Sequence, residues 1–575
     1  MKKNKKFQSL TSMDEKYLRH GDYTSTRDVV ERIAKVDPTA RIFGELDKDK
    51  NIVYHTARDI YEEVMNLGEG LVAQGLRGAH IAIVADNSVR YVISDMTIAS
   101  GVGVVVPIDV EAPAEHLAML FAKADVNAVL CNARNLSKVE EARKSCPLIR
   151  NVITIDKKVE GYLSYDGLLQ EGSTLSVFRN MTLDIEAPAK MLFTSGTTGA
   201  NKCVVMTNAN LAANIKNCLS GIKSTEGNTS MSVLPMHHGI EINSHIMTRV
   251  ATGRLTYIND SIRTMMNNIR IFKPDCITVV PMISNAFYKA IWSGAEKAGK
   301  ADKLRKGIRI SNLLRKFGVD KTHTMFADVF EPFGGNLNMI VCGGAMLNPV
   351  VVRGLNDIGI HIENGYGITE CGPVVSMNAD TLTDHLSVGR PCSGLEAKIF
   401  NPDSDGVGEL CIRGKSVSKG YYKDEEATEA VFDRDGFFHT GDAARIDKDG
   451  RIFMSGRMKN TIILENGKNV NPEEVENAIE SAMDYVTEVV VYHSAASAEP
   501  DAPHLICAAL FIEDEGKRAD RDAIRSDLRA ANAKLPSYKA VEYVEILSEP
   551  LERTPAKKII RKNLPAVCSG SGIEI

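Results

Sequence analysis

Between residues 56 and 155, short and almost wholly apolar runs alternate with stretches of helical periodicity, and nothing else in the chain restricts the fold as strongly. Over 56–75, Ile60, Val64, Leu67, Leu71 and Val72 recur at helical spacing, and Gly75 supplies a stop. Ile81-Ala82-Ile83-Val84 reads as a buried strand, and Asn87-Ser88 offers capping side chains for the helix after it. The pattern repeats: a strand over 101–107, a helix over 112–124, a strand over 128–131, a helix near 136–145 and a strand over 151–155. This alternation predicts an α/β fold with a largely parallel sheet. The Gly101-Val102-Gly103 step lacks a third glycine and opens no helix, so no dinucleotide fingerprint is read there.

Before this region come a basic start (Lys2, Lys3, Lys5, Lys6) and a helix over 27–36; no apolar run of a secretory signal follows the lysines. After it, a helix is expected over 207–220 and strands over 231–234, 276–280 and 339–342. Asp403-Ser404-Asp405-Gly406, Asp433-Arg434-Asp435-Gly436 and Asp447-Lys448-Asp449-Gly450 punctuate a β-rich stretch. The last 115 or so residues read as a small α+β domain, with strands near 488–493, 505–511 and 540–546 and helices over 472–481 and 520–533. With 575 residues, two or more domains are expected. A net charge of −5 gives no pull toward nucleic acid. Eleven scattered cysteines without metal-ligand spacing suit small buried side chains in a reducing, cytoplasmic setting. Residues 295–321 stand apart, with nine Lys/Arg against three Asp/Glu and Ile310, Leu313, Leu314 and Phe317 at helical spacing. That is an amphipathic basic helix, read as a solvated face or as a peripheral contact with a membrane or an anionic substrate.

Chemistry enters at Thr194-Ser195-Gly196-Thr197-Thr198-Gly199, followed by Ala200-Asn201-Lys202. Glycines admit a close backbone approach, hydroxyls and N–H groups donate, and a lysine adds a point charge, which suits a polyphosphate. The loop lies between the apolar runs Met191-Leu192-Phe193 and Cys203-Val204-Val205-Met206, hence between two strands; a Walker loop would need glycine before the lysine and Ser/Thr after it. Tyr366-Gly367-Ile368-Thr369-Glu370 offers a ring for a base, a hydroxyl for a phosphate and a carboxylate for a hard cation. Thr440-Gly441-Asp442 offers a carboxylate for ribose hydroxyls. Gly456-Arg457 adds a guanidinium, and Arg553-Thr554-Pro555-Ala556-Lys557-Lys558 a second lysine.

In this order and spacing these stretches, from about residue 25 to 563, resemble the adenylate-forming superfamily of acyl-CoA synthetases, luciferases and adenylation domains. The resemblance implies a large N-terminal AMP-binding domain with a β-rich subdomain (26–456), a hinge over 457–460 and a small mobile C-terminal lid (461–575). It implies ATP, Mg²⁺ and CoA as cofactors and a carboxylic acid as substrate. By position, Thr194 to Gly199 with Lys202 would hold the β- and γ-phosphates, Gly343, Gly344, Ala345, Tyr366 and Gly367 would frame adenine, and Thr369 and Glu370 would serve phosphate and metal. Asp442 and Arg457 would bind ribose, His238 would stand beside the acid, and Lys558 would reach the α-phosphate during adenylation. For thioester formation the lid would pivot at Lys459 and bring Gly467 and Lys468 beside the pantetheine arm. The chain departs from the family pattern at Asn201 and Cys203, where proline and glycine usually flank the lysine and where a cysteine would place a thiol near the phosphates. It departs also at Lys557, usually glycine, and at Asn460, often aspartate. Arg457 to Leu464, Asn466 to Val470 and the basic stretch look most like bacterial long-chain fatty-acid–CoA ligases. Alternatives are an enzyme loading a separate carrier protein and a non-catalytic nucleotide sensor. The joint presence of Lys202, Glu370, Asp442, Arg457 and Lys558 argues against the sensor.

Overall fold

The computed structural model describes residues 23–575 apart from 195–201, 222–228, 380, 382–383, 465–467, 498, 500–501, 554–558, 562–563 and 566. Two compact units emerge: one of 1–345, 354–397 and 412–438, and a second of 346–353, 398–411 and 439–575.

The first unit holds two large sheets. A seven-stranded sheet runs Leu163–Ser164, Asn151–Thr154, Ala128–Cys131, Ala79–Val84, Gly103–Pro107, Pro188–Thr194, Lys202–Thr207, and only the last strand is antiparallel to its neighbour. Successive strand residues feed opposite cores: Ile81, Ile83 and Leu130 join one apolar cluster, Ala82, Val84 and Val129 the other. Burial on both faces is why these runs carry no polar alternation. The helices Thr26–Val36, Ala57–Ala73 and Val89–Thr97 begin on Ser25, Thr56 and Ser88, each accepting a backbone N–H in the first turn. The expected strand at 101–107 starts at Gly103, because a π-helical turn over Ile98–Val102 precedes it. Gly101 has φ +120°, and a Cβ on Gly103 would run into the Ala79 carbonyl. These glycines serve strand packing.

A nine-stranded sheet follows the order Arg390–Pro391, Val374–Asn378, His361–Gly367, Met339–Cys342, Cys276–Val279, Ser230–Ser232, Thr256–Ile258, Arg41–Leu46, Ile52–Thr56. Its six inner strands are parallel. The hairpin over residues 41–56 went unread in the sequence because its strands mix polar with apolar residues. The basic stretch is two helices, Pro281–Lys297 and Ala301–Lys316, separated at Gly299 with φ +66°.

In the second unit the sheet Glu488–Ala495, His504–Phe511, Tyr543–Leu547, Ile573–Glu574 packs with helices Pro472–Ala482 and Arg521–Asn532 around Val475, Ile479, Val491, Leu510, Ile524 and Leu528. Strand Phe438–Ile446 pairs antiparallel with Ile452–Arg457. At Asp403 and Asp447, and at Asp433 in the first unit, one carboxylate oxygen accepts two backbone N–H groups two and four residues on, which fixes the Asp-x-Asp-Gly turns. Ten of the eleven cysteines are buried, in keeping with their place in apolar runs.

Candidate active site

The hydroxyl-rich loop is closed by a hairpin. Thr194 at the end of one strand faces Lys202 at the start of the next, and Phe193 faces Cys203. Ser195, Gly196, Thr197, Thr198 and Gly199 lie outside the described residues, so the two ends of the expected phosphate cradle are what the structure places. Cys203 does not offer the phosphates a thiol. It is buried with Ala82, Val84 and Met191, and burial pushes its pKa up to about 12. Alternation along the strand turns it to the face opposite Lys202 and Val204, into that core.

Lys202 Nζ lies 4.4 Å from the ring centroid of Tyr421, in cation–π geometry. The Tyr421 hydroxyl in turn donates to Glu370 Oε1 at 3.0 Å. Backbone pairing puts the ring there. Lys419 N donates to Val205 O (3.2 Å), Val205 N to Gly420 O (3.0 Å) and Tyr422 N to Cys203 O (2.8 Å), so residues 419–422 lie along the hairpin. Ser418 N donates to the Glu370 carbonyl at 2.7 Å, which ties the turn Thr369–Cys371 to the same strap. Burial first, and the Glu370 charge second, push the Tyr421 pKa upward, so the phenol stays protonated as a donor. Lys202, Tyr421 and Glu370 thus form one row. Sequence reasoning missed Tyr421; a glycine followed by two aromatics in a polar stretch was the available signal.

Tyr366 and Gly367 end the strand His361–Gly367, and Gly343-Gly344-Ala345 follow its parallel neighbour Met339–Cys342. A Cβ on Gly343 would stand 3.1 Å from the Gly365 carbonyl, and one on Gly367 would strike the Pro373 carbonyl. The two stretches expected to frame adenine are therefore adjacent, and glycine is what lets them approach. His238 is exposed, and its ring stands 4.1 Å from that of His237. Burial, together with the His238 charge, takes His237 down to about 3 and leaves it neutral at pH 7. At Gly239 a Cβ would lie 3.6 Å from Leu192 and 3.7 Å from Pro373, so the histidine pair adjoins both the hairpin and the Thr369–Cys371 turn.

After His238, the polar residues Glu241, Asn243 and His245 are all buried in the π-helix Ile240–Ile246. His245 bridges Glu241 (2.9 Å) and Ser230 (3.0 Å), and Asn243 Oδ1 accepts from Lys190 Nζ at 2.7 Å. Lys190 also pairs with Asp95 at 2.7 Å, both side chains 2% exposed. Burial lowers the Lys190 pKa and raises that of Asp95, and the charge of each partner opposes that shift.

In the second unit Asp442 stands opposite Arg457, and its Oδ1 is 2.9 Å from Arg457 Nε. Thr440 Oγ1 donates to Leu410 O (2.7 Å) and accepts from Asp442 N (3.1 Å). Glu409 accepts from Gly441 N at 2.8 Å and holds the His439 ring at 2.8 Å, so its carboxylate fixes the Thr440-Gly441-Asp442 turn. Cys411 joins Glu409 and His439 with ligand atoms within 4.8 Å, but both Glu409 oxygens already serve that turn. Lys459 sits in a short turn, Met458–Asn460, and Asn460 donates to Glu473 at 2.7 Å. Lys468 lies 4.3 Å from the Tyr538 ring, while Gly467 lies outside the described residues. Lys557 and Lys558 also lie outside them; Arg553 and Ile559, on either side, are bridge partners.

Residues 30–422 match the family model for AMP-binding enzymes, and residues 459–567 match that for the AMP-binding enzyme C-terminal domain. The chain belongs to the AMP-binding enzyme family, the adenylate-forming group that its motifs resemble. It is 27% identical over 527 residues to a chloroplastic long-chain-fatty-acid–[acyl-carrier-protein] ligase of Arabidopsis thaliana, covering 78% of this chain and 71% of that one. To the peroxisomal long chain acyl-CoA synthetase 6 of the same plant it is 28% identical over 451 residues, covering 72% of this chain and 62% of that one, so it spans less than two thirds of that relative. An anthranilate CoA ligase in complex with anthranoyl-AMP superposes with a TM-score of 0.76 at 18% identity, covering 94% and 96% of the two chains. ATP-bound MatB from Rhodopseudomonas palustris does so at 0.71 and 20%, covering 93% of this chain and 97% of that one. The expected fold of adenylate-forming enzymes is therefore shown.

Proposed function

We propose that the chain uses ATP to activate a long-chain fatty acid as its acyl-adenylate, releasing pyrophosphate, and then passes the acyl group to the thiol of CoA. The Lys202–Tyr421–Glu370 row carries this reading, in a chain whose relatives are named for fatty-acid activation. In the first step a carboxylate oxygen bonds to the α-phosphorus, and the bond from that phosphorus to the pyrophosphate oxygen breaks. The acid is already ionised at pH 7, so the step needs charge cancellation and alignment more than a base. Lys202 would bear on the leaving phosphates, Lys558 on the α-phosphate, and His238 beside the acid. Glu370 suits Mg²⁺: a half-buried carboxylate offers two oxygens, and the Tyr421 hydroxyl engages Oε1. Mg²⁺, when bound, would neutralise phosphate charge. In the second step the thiol gives up its proton to solvent, its sulfur bonds to the acyl carbon, and the bond from that carbon to the phosphate oxygen of AMP breaks. Lys468, with Gly467, would face the pantetheine arm after the lid turns at Lys459.

The relative named as an acyl-carrier-protein ligase supports a second reading, in which a carrier thiol replaces CoA. A panel of carboxylic acids assayed for ATP–pyrophosphate exchange, then for thioester on CoA or on holo-carrier protein, separates the two. Exchange with fatty acids and thioester on CoA is expected. Exchange followed by thioester on the carrier alone overturns the CoA assignment, and no exchange with any acid overturns the enzyme reading.

Tyr421→Phe tests the row. A hydrogen bond to a charged group contributes about 1.5–3 kcal/mol, so exchange should fall roughly 10- to 100-fold and need more Mg²⁺. An unchanged Mg²⁺ titration would remove Tyr421 from the site.

A further inference from the structure

The helix Ala301–Lys316 buries one apolar side but leaves other apolar side chains in solvent. Its inward side carries Leu304 and Ser311, with Phe326 against Gly307, while Ile310 (54% exposed), Leu313 (56%) and Phe317 (77%) point to solvent. At 100° per residue, Lys303, Lys306, Arg309 and Lys316 fall on that same outward side, with Asp302 as the acidic exception. Tethers fix the orientation. Arg315 donates to the carbonyls of Asn356 (2.7 Å) and Asp357 (2.9 Å), and the Arg305 guanidinium lies 5.4 Å from the Trp292 ring.

We propose that this face is a docking surface for an anionic phospholipid bilayer. Apolar side chains interleaved with cations on one helix face match the headgroup boundary, where acyl chains take the former and phosphates pair with the latter. The face is a convex helix, which a fluid headgroup layer can surround; a folded acidic partner would need a matching groove. Among the described residues no helix is long and apolar enough to cross a membrane, so such contact would be peripheral. The surface depends on no reading of the reaction, although a bilayer is where a long-chain fatty acid would partition.

The test is co-sedimentation of the full chain with vesicles of neutral lipid, or of neutral lipid with about one third anionic phospholipid, in about 0.1 M and about 0.5 M NaCl. The expected result is binding to the anionic vesicles that weakens with salt. It should fall about ten- to a hundred-fold in Lys306→Gln/Arg309→Gln/Lys316→Gln and in Ile310→Ser/Leu313→Ser/Phe317→Ser. These side chains are exposed, and an unchanged thermal melt for each variant would show that folding is intact. Binding unaffected by either triple variant, or equal on neutral vesicles, overturns the proposal. So does capture of a purified acidic carrier protein through this face with no binding to vesicles.

Discussion

Lys558→Ala is expected to slow acyl-adenylate formation about 10²- to 10³-fold while sparing thioester formation from supplied acyl-adenylate. Removing one well-placed charge from a transition state has an effect of that order. The asymmetry follows from the chemistry of the two steps. In the first, an anionic acid meets an anionic phosphate, and Lys558 in its proposed place would offset the developing charge. In the second, a thiol meets a carbonyl, and the proposed turn of the lid about Lys459 takes Lys558 away. Measuring exchange and the second half-reaction separately decides it, because equal loss in both would rule out alternation. Lys557→Ala is the control for the neighbouring lysine that stands where the family usually has glycine.

The second large effect is structural. Lys190→Met should destabilise the first unit by about 3–5 kcal/mol, because it leaves Asp95 charged and unpaired in the core. Both side chains are 2% exposed, and among the described residues Asp95 Oδ2 has no hydrogen-bond partner even with the lysine in place. Lys190→Met combined with Asp95→Leu should recover most of the loss, since removing both charges also removes the desolvation they carry. Urea unfolding followed in the wild type and the two variants measures this. A single variant within about 1 kcal/mol of wild type, or a double variant no better than the single, would contradict it. The pair matters to the site because Lys190 belongs to the strand that ends at Thr194, and it holds Asn243 in the π-helix after His238.

The adenylate-forming fold was legible because its strands are buried on both faces and its helices carry caps. Ile81 to Val84, Ala128 to Cys131 and the cap at Ser88 appear as expected. The hairpin around the hydroxyl-rich loop was legible too, since apolar runs flank it on both sides. Harder to read were features in which a polar residue is buried and satisfied by partners remote in sequence. Lys190 meets Asp95 across 95 positions, and Tyr421 meets Glu370 across 51. Glu241 and His245, both buried, are bonded to each other.

What the sequence alone determined, then, is the strand–helix alternation over 56–155 and the family, because local periodicity and short motifs encode these. Only the tertiary structure decided which way side chains face. It turned Cys203 into the core, set Tyr421 between Lys202 and Glu370, and left Ile310, Leu313 and Phe317 in solvent beside a row of cations. The physical reason is that a side chain's direction is fixed by what packs against its backbone, and those neighbours come from distant parts of the chain.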